Sequence, residues 1–312
     1  RRRGFELEQA PLLRLVLVRM DEERYHLVYT HHHILLDGWS SAQLLGEVLA
    51  RYTGEQAERT GGRYRDYITW LQAQDKRVSE AFWKEQLAEL LEPTRLAQAV
   101  AAEREQVGSG QFQRSLPPAR TARLKTFAQR HAVTLNTLVQ AAWSLLLQRY
   151  TGQDTVVFGA TVAGRPAELA GIERQIGLFI NTLPVIATPL PQQSLASWLQ
   201  AVQGENLALR EFEHTPLYDI QRWAGRSGQS LFDSIIVFEN HPVDRTLRDW
   251  RDDSLRFGEM RSAGLTNFPM DLMVTSDDSG LAIEYMFLRE HFAVASVERL
   301  RTDMEDRKST RL

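Results

Sequence analysis

The stretch HHHILLDGWS, residues 31–40, joins a predicted strand to a predicted helix. Residues 25–30, just upstream, are rich in aromatic and β-branched side chains, which favour a short strand. Downstream, the spacing of residues 40–43 is that of a capping box and predicts the start of a helix at Ser40. The histidines are therefore expected in a strand-to-helix corner. Such a corner can expose imidazoles in a cleft beside the carboxylate of Asp37.

Two adjacent histidines, three further residues and Asp-Gly form the pattern HHxxxDG, present here as His32, His33, Asp37 and Gly38. This pattern resembles the signature of the condensation domains of nonribosomal peptide synthetases. Three further stretches resemble motifs of the same family, in the family's usual order. They are YRDYITW at 64–70, GRP at 164–166 with IGLFINTLP at 176–184, and FDSIIVFEN at 232–240. The resemblance therefore covers most of the chain.

The resemblance implies a two-lobe α/β fold like that of chloramphenicol acetyltransferase, each lobe with a mixed sheet and flanking helices. We expect residues 1–96 to form the C-terminal part of the first lobe, 97–110 an inter-lobe linker, and 111–305 the second lobe. In the family a substantial segment precedes the histidine motif, so the first lobe is expected to be incomplete. Residues 306–312 resemble a translated sequencing adapter, and we exclude this expected non-native tail from the fold.

Composition limits the classes of partner and of chemistry. With 312 residues, 43% of them hydrophobic, the chain can bury one large core or two lobes. A formal net charge of -3 argues against nucleic acid or an anionic membrane as the main partner. The chain contains no cysteine, which excludes disulfides, thiolate zinc sites and a cysteine nucleophile, and is compatible with a cytoplasmic location. No apolar run approaches the roughly 18 residues of a membrane span.

Hydrophobic patterns predict strands in both halves of the chain. Residues 12–18 are almost continuously apolar, which predicts a buried strand paired with residues 25–30. Residues 177–186 predict another strand, with Asn181 at its middle, where β-propensity does not favour an asparagine. Two apolar runs between residues 269 and 287 predict a final hairpin.

The resemblance assigns the central catalytic position to the second histidine, His33. In the family this residue lies in a tunnel where a donor acyl thioester meets the amine of an acceptor aminoacyl thioester. Imidazoles titrate near neutral pH, so one placed there can accept the amine proton or orient the amine, and the sequence leaves both roles open. The backbone amide of Gly38 is the candidate donor to the oxyanion. His32 is expected to be structural.

Four further residues complete the predicted site. The resemblance pairs Asp37 with an arginine that shapes the site, and Arg165 is the best placed candidate. Such an ion pair chiefly organises geometry; the alternative is that Asp37 holds one tautomer of His33. Trp39 is expected to line the substrate tunnel. Asn181 either lines the tunnel and binds a substrate carbonyl, or is a core asparagine bonded to the backbone.

The adjacent histidines do not predict a metal site. Consecutive residues of a strand alternate faces, and no cysteine or HxxxH partner follows. The resemblance implies that this domain itself binds no cofactor, and that partner carrier proteins bring their own phosphopantetheine.

The implied function is amide-bond formation between two carrier-bound thioesters. The implied partners are donor and acceptor peptidyl carrier proteins and an adenylation domain in the same megasynthase. Three alternatives stay open. They are an epimerisation domain, a coenzyme A-dependent acyltransferase of the same superfamily, and a condensation-like domain that only recruits partners.

Overall fold

The computed structural model describes residues 4–54, 62–100, 107–239, 255–258, 266–277 and 280–305. Two predicted features lie outside the described residues. They are the tail, residues 306–312, and the middle of the linker, residues 101–106. The chain divides into two compact units. The first unit comprises Arg1–Ala73, Arg165–Ile180 and His241–Met260, and the second Gln74–Gly164, Asn181–Asn240 and Arg261–Leu312.

The described residues of the first unit contain one hairpin, two α-helices and a short 3-10 helix at Ile172–Arg174. Strands β1 (Leu13–Arg19) and β2 (Tyr25–His31) pair antiparallel, with Leu13 opposite His31. Helix α1 (Gly38–Tyr52) follows directly, and α2 (Tyr64–Gln72) comes next in the chain. A small core forms where Tyr67 of α2 packs with Ile172 and Phe179 of the 165–180 segment.

The hairpin is paired as predicted, but its predicted burial is wrong. Leu15 and Leu17 of β1 are 61% and 64% exposed, and Val16, on the opposite face, is exposed as well. In the described part of this unit the sheet is therefore a two-stranded hairpin with exposed apolar side chains, whereas a mixed sheet was expected. An apolar run records the hydrophobicity of a strand but not whether a second layer covers it.

The second unit is built on a six-stranded mixed sheet. In chain order its elements are α3 (Lys76–Gln86), α4 (Leu96–Ala99), β3 (Ser109–Leu116), α5 (Pro118–Arg130), α6 (Leu135–Thr151), β4 (Val156–Val162), β5 (Asn181–Ala187), α7 (Leu195–Arg210), α8 (Leu217–Trp223), β6 (Ser234–Glu239), β7 (Met270–Asp277), β8 (Gly280–Leu288) and α9 (Val294–Glu305). The strand order in the sheet is β3-β8-β7-β6-β4-β5, with β6 parallel to both β4 and β7 and the other pairs antiparallel. The predicted final hairpin is the β7-β8 pair.

Helix α6 shows how local sequence and core packing agree in this unit. The side chain of Thr134 accepts a hydrogen bond from the Thr137 amide and caps the helix, and Gly152 ends it in a left-handed conformation (φ +71°). Between these ends Trp143 is fully buried, and its indole N–H donates to the Ser234 hydroxyl of β6 at 3.2 Å. Across the described residues, no helix has both the length and the apolar character needed to cross a membrane.

The division of contacts differs from the predicted lobe boundaries in two segments. Residues 74–96 were expected in the first lobe, yet Trp83, Leu87 and Leu96 are buried in the main core of the second unit. Residues 165–180 were expected in the second lobe but belong to the first unit, where Phe179 is buried. Periodicity indicates that these segments bury apolar side chains, but it does not indicate against which partner.

Asp271 of β7 gives the second unit a testable dependence on pH. Its carboxylate is 3% exposed and accepts a hydrogen bond from the Thr266 hydroxyl at 2.6 Å. Burial raises the pKa of Asp271 to about 6. Because this pKa lies above the unfolded value of about 3.9, the folded state binds more protons between pH 4 and 6. The free energy of unfolding should therefore fall by roughly 2 kcal/mol as pH rises through that range.

The substitution Asp271→Asn is expected to remove this loss of stability, because an amide does not ionise. Urea unfolding at pH 4, 5, 6 and 7 measures the effect: the variant should gain stability relative to the wild type as pH rises. Parallel pH dependences for the two proteins would contradict the prediction.

Candidate active site

The strand-to-helix corner is closed by Asp37, not by Ser40. Asp37 precedes α1 with extended backbone, and its Oδ1 accepts a hydrogen bond from the Ser40 amide at 2.7 Å. Asp37 is therefore the N-cap, and the prediction of a capping box that begins at Ser40 is wrong. Both residue types are good N-caps. The choice between them is made by the tertiary contacts of Ser40.

Asp37 is almost completely buried, and both oxygens of its carboxylate have partners. Oδ1 also accepts a hydrogen bond from Nη2 of Arg165 at 3.4 Å, and Oδ2 accepts one from the amide of Phe179 at 3.1 Å. The side chains of Arg165 and Asp37 are 5% and 0% exposed. The two residues that the resemblance pairs thus form a buried ion pair, in which removal of either charge strands the other.

Both terminal nitrogens of the Arg165 guanidinium have partners within the first unit. Nη2 donates to the Ser40 hydroxyl at 2.9 Å, and Nη1 donates to the carbonyls of Ile172 and Gln175. Its carbon lies 4.0 Å from the ring centroid of Phe179. Burial lowers the pKa of Arg165, and the Asp37 charge opposes that change. These contacts support a structural role for Arg165, since its donors are used by the protein.

Ser40 is a site residue that the sequence reasoning missed. Its hydroxyl is buried, donates to the Gly177 carbonyl at 2.8 Å, and accepts from the Gly177 amide at 3.1 Å and from Arg165. One donor and two acceptor sites are all that a hydroxyl offers, so this one is saturated. The only sequence signal was its place beside Asp-Gly, where it was interpreted as a helix cap.

The adjacent histidines differ in their contacts. Nδ1 of His32 accepts a hydrogen bond from the Ile34 amide at 3.1 Å, and the His32 amide donates to the Leu12 carbonyl at 2.9 Å. This ring is held by local backbone, which supports the structural role expected for it. His33 is exposed, and its ring lies 6.5 Å, centroid to centroid, from the ring of His31.

His31 lies outside the HHxxxDG pattern but beside His33. Its ring stacks on Tyr29 with centroids 4.9 Å apart. Burial lowers the pKa of His31, and the neighbouring His33 and His32 lower it further. His31 is therefore biased toward its neutral form.

Gly38 and Trp39 form the exposed side of the same corner. A Cβ on Gly38 would meet no atom within 4 Å, so packing alone does not require a glycine there. Gly38 opens α1, where backbone amides have no intrahelical partner. The indole N–H of Trp39 donates to the Glu173 carbonyl at 2.8 Å. The expected tunnel position of Trp39 stays a prediction.

Asn181, in the second unit, is the first residue of β5 and not the middle of a longer strand as predicted. Its amide nitrogen donates to the carbonyls of Glu213 and Thr215 at 2.9 and 2.6 Å. Its Oδ1 accepts from the Thr182 amide at 2.9 Å. These bonds favour the alternative of an asparagine bonded to the backbone, and its contact with substrate stays a prediction.

Within the ranges that the structure describes, no group of three or more His, Asp or Glu side chains is placed to hold a metal ion.

Comparison with known proteins gives consistent matches over nearly the whole chain. A family model described as "Condensation domain" matches residues 1–306. A linear gramicidin synthase of Brevibacillus parabrevis is 40% identical over 309 residues, which are 96% of this chain and 6% of that protein. Chondramide synthase cmdD of Chondromyces crocatus is 40% identical over 293 residues, which are 91% of this chain and 7% of that protein. The chain thus spans only a small fraction of the length of these relatives.

Solved structures share the fold at lower sequence identity. The X-domain from teicoplanin biosynthesis superimposes with a TM-score of 0.78 and 21% identity, covering 96% of this chain and 72% of that chain. The first condensation domain of the CDA synthetase gives a TM-score of 0.73 and 22% identity, covering 94% and 66%. The predicted α/β fold class is confirmed by these likenesses.

Proposed function

Because this chain belongs to the condensation-domain family, we propose that it forms an amide bond between two thioester-bound substrates. The amine of an acceptor aminoacyl thioester attacks the carbonyl carbon of a donor acyl thioester. A carbon–nitrogen bond forms, the donor carbon–sulfur bond breaks, and the sulfur leaves as a thiol after taking up the proton that the amine loses. No metal and no covalent acyl-enzyme is needed to balance this reaction.

His33 is the residue that we place at the attacking amine. Its imidazole orients the nitrogen and accepts the proton that the nitrogen loses. The Gly38 amide, at the start of α1, is our candidate donor to the oxyanion of the tetrahedral intermediate. Trp39 and Asn181 are proposed to line the path of the substrates. His32, Asp37 and Arg165 are proposed to hold the corner in shape.

The observation that carries this proposal is the buried network around Asp37. Two residues of the histidine motif's own corner, Asp37 and Ser40, are tied to Arg165 and to the 177–179 backbone by buried hydrogen bonds. A catalytic group gains most when the structure fixes its position before the substrate arrives. A corner held this tightly suits a single imidazole that must meet an amine and a carbonyl in one geometry.

The substrates are proposed to arrive on the phosphopantetheine arms of donor and acceptor peptidyl carrier proteins, next to an adenylation domain of the same megasynthase. The relatives support this proposal because they are synthases many times longer than the matched region. Phosphopantetheine is in this view part of the substrate, and the domain holds no cofactor of its own. The absence of cysteine is compatible with a cytoplasmic location.

A competition between thioester sources tests the proposed function. The chain is mixed with an acceptor on its carrier and with the same donor acyl group either on a second carrier or on coenzyme A. We expect amide product on the acceptor carrier, formed faster from the carrier-bound donor. Equal transfer from coenzyme A would favour a free-standing acyltransferase. Inversion at the donor α-carbon without transfer would favour an epimerisation domain. If neither transfer nor inversion occurred, a recruiting domain would be favoured.

A further inference from the structure

We propose that Tyr64, the first residue of the aromatic stretch at 64–70, is a positioning residue that holds the backbone of residues 177–179 against Asp37. The inference rests on the proposed function, because Asp37 matters to catalysis only if His33 acts at this corner. It assigns a role to a stretch that the proposed chemistry does not otherwise use. All of the contacts involved lie within the first unit.

The first contact is a hydrogen bond to the main chain. The Tyr64 hydroxyl donates to the carbonyl of Leu178 at 2.6 Å. The Tyr64 ring also meets the ring of Phe179 edge to face, with centroids 5.2 Å apart. Tyr64 therefore contacts two successive residues of the segment, one through its hydroxyl and one through its ring.

The second contact is the close approach of Tyr64 to Gly177. A Cβ at position 177 would lie 2.3 Å from Cδ2 of Tyr64, a distance that atoms do not tolerate. Gly177 does not have a positive φ, so its backbone conformation does not require a glycine. The glycine is instead required by the ring that packs on it.

The same segment also contacts the active-site corner. The Gly177 carbonyl accepts hydrogen bonds from the Asp37 amide at 3.1 Å and from the Ser40 hydroxyl at 2.8 Å. The Phe179 amide donates to Oδ2 of Asp37 at 3.1 Å. Residues 177–179 therefore contact Tyr64 and also Asp37 and Ser40. A shift of this segment would move the partners of Asp37.

The electrostatics of the site keep the Tyr64 hydroxyl in its donor form. Burial raises the pKa of Tyr64, and the negative charge of Asp37 raises it further. The phenol thus stays protonated through the neutral range and continues to donate to Leu178.

The substitution Tyr64→Phe removes the hydroxyl and keeps the ring. We expect the single-turnover rate of amide formation to fall about threefold to tenfold, which is the effect of losing one hydrogen bond from a residue that is 37% exposed. Hydrogen exchange of the Gly177 and Phe179 amides should quicken by a similar factor. The matched control is Tyr52→Phe, at an exposed tyrosine of α1, which should change neither quantity.

Steric compensation provides a second test. Gly177→Ala should slow amide formation by more than tenfold, because the new methyl group displaces the Tyr64 ring. The double variant Gly177→Ala with Tyr64→Ala should be faster than Gly177→Ala alone, since the ring is no longer there to clash. A double variant that is as slow as the product of the two single effects would overturn the proposal.

The exchange measurement separates this proposal from the proposed function. If Tyr64→Phe quickens exchange at residues 177–179 while the wild type forms no amide, the positioning role stands and the assigned reaction fails. If the wild type forms amide and Tyr64→Phe alters neither exchange nor rate, the reaction stands and the positioning role is overturned.

Discussion

Replacing His33 with alanine is expected to lower the rate of amide formation in a single turnover by about 10²- to 10⁴-fold. The imidazole is the group proposed to orient the amine and take its proton, and alanine can do neither. Rapid quenching of the chain mixed with loaded donor and acceptor carriers measures the rate directly. Binding of the carriers should stay unchanged, because the substitution removes a group that acts on the reacting nitrogen.

The control for this variant is His26→Ala, which removes an exposed imidazole from β2, the strand that precedes the histidine motif. This change should leave the rate within about twofold of the wild type, since surface substitutions rarely perturb a fold. Circular dichroism establishes that both variants are folded. Equal rates for His33→Ala and the wild type would remove His33 from the reaction.

Replacing Asp37 with alanine is expected to lower the free energy of unfolding by about 3–5 kcal/mol. The change leaves the Arg165 guanidinium buried without its counter-charge and leaves the Phe179 amide without an acceptor. Arg165→Ala should cost a similar amount for the converse reason. The double variant should lose clearly less stability than the two single variants added together, because each single variant leaves one buried charge without its partner and the double variant leaves none. Urea unfolding of the wild type, the two single variants and the double variant measures this double-mutant cycle.

The exposed ion pair on α1 supplies the matched control for this cycle. Nη2 of Arg51 lies 2.6 Å from Oε1 of Glu47, and the two side chains are 65% and 25% exposed. Breaking this pair should cost about 0.5 kcal/mol or less, because water screens exposed charges. If the coupling free energy between Asp37 and Arg165 were as small as the cost of breaking the Arg51–Glu47 pair, the claim that the buried network stabilises the corner would be contradicted.

The fold class came from the family resemblance, whereas local pattern in the sequence predicted the pairing of the first hairpin but not its exposure. The two apolar runs near the start pair as predicted because two runs rich in strand-forming residues, separated by a short polar turn, define a hairpin. The ends of helix α6, at the Thr134 cap and at Gly152, are set by local features of the sequence. The association of Asp37 with Arg165 came from the resemblance alone, since no spacing rule links residues so distant in the chain.

What the sequence did not predict depends on packing between distant segments. Ser40 was expected to cap α1, but its hydroxyl bonds Gly177, and no local rule distinguishes these two uses of a serine. Trp83 was expected in the first lobe because its neighbours in sequence were placed there, yet it is buried in the second unit. Tyr64 belongs to a stretch that resembles a family motif, but the sequence predicted no role for it. Its partner is the main-chain carbonyl of Leu178, which no sequence pattern indicates.

The most direct test of the central claim is the mass of the acceptor carrier after a single turnover with a loaded donor carrier. The account predicts that the acceptor arm gains the mass of the donor acyl group through an amide that survives mild base, while the donor arm becomes a free thiol. An acceptor of unchanged mass, with both thioesters intact in the presence of the folded chain, would contradict it.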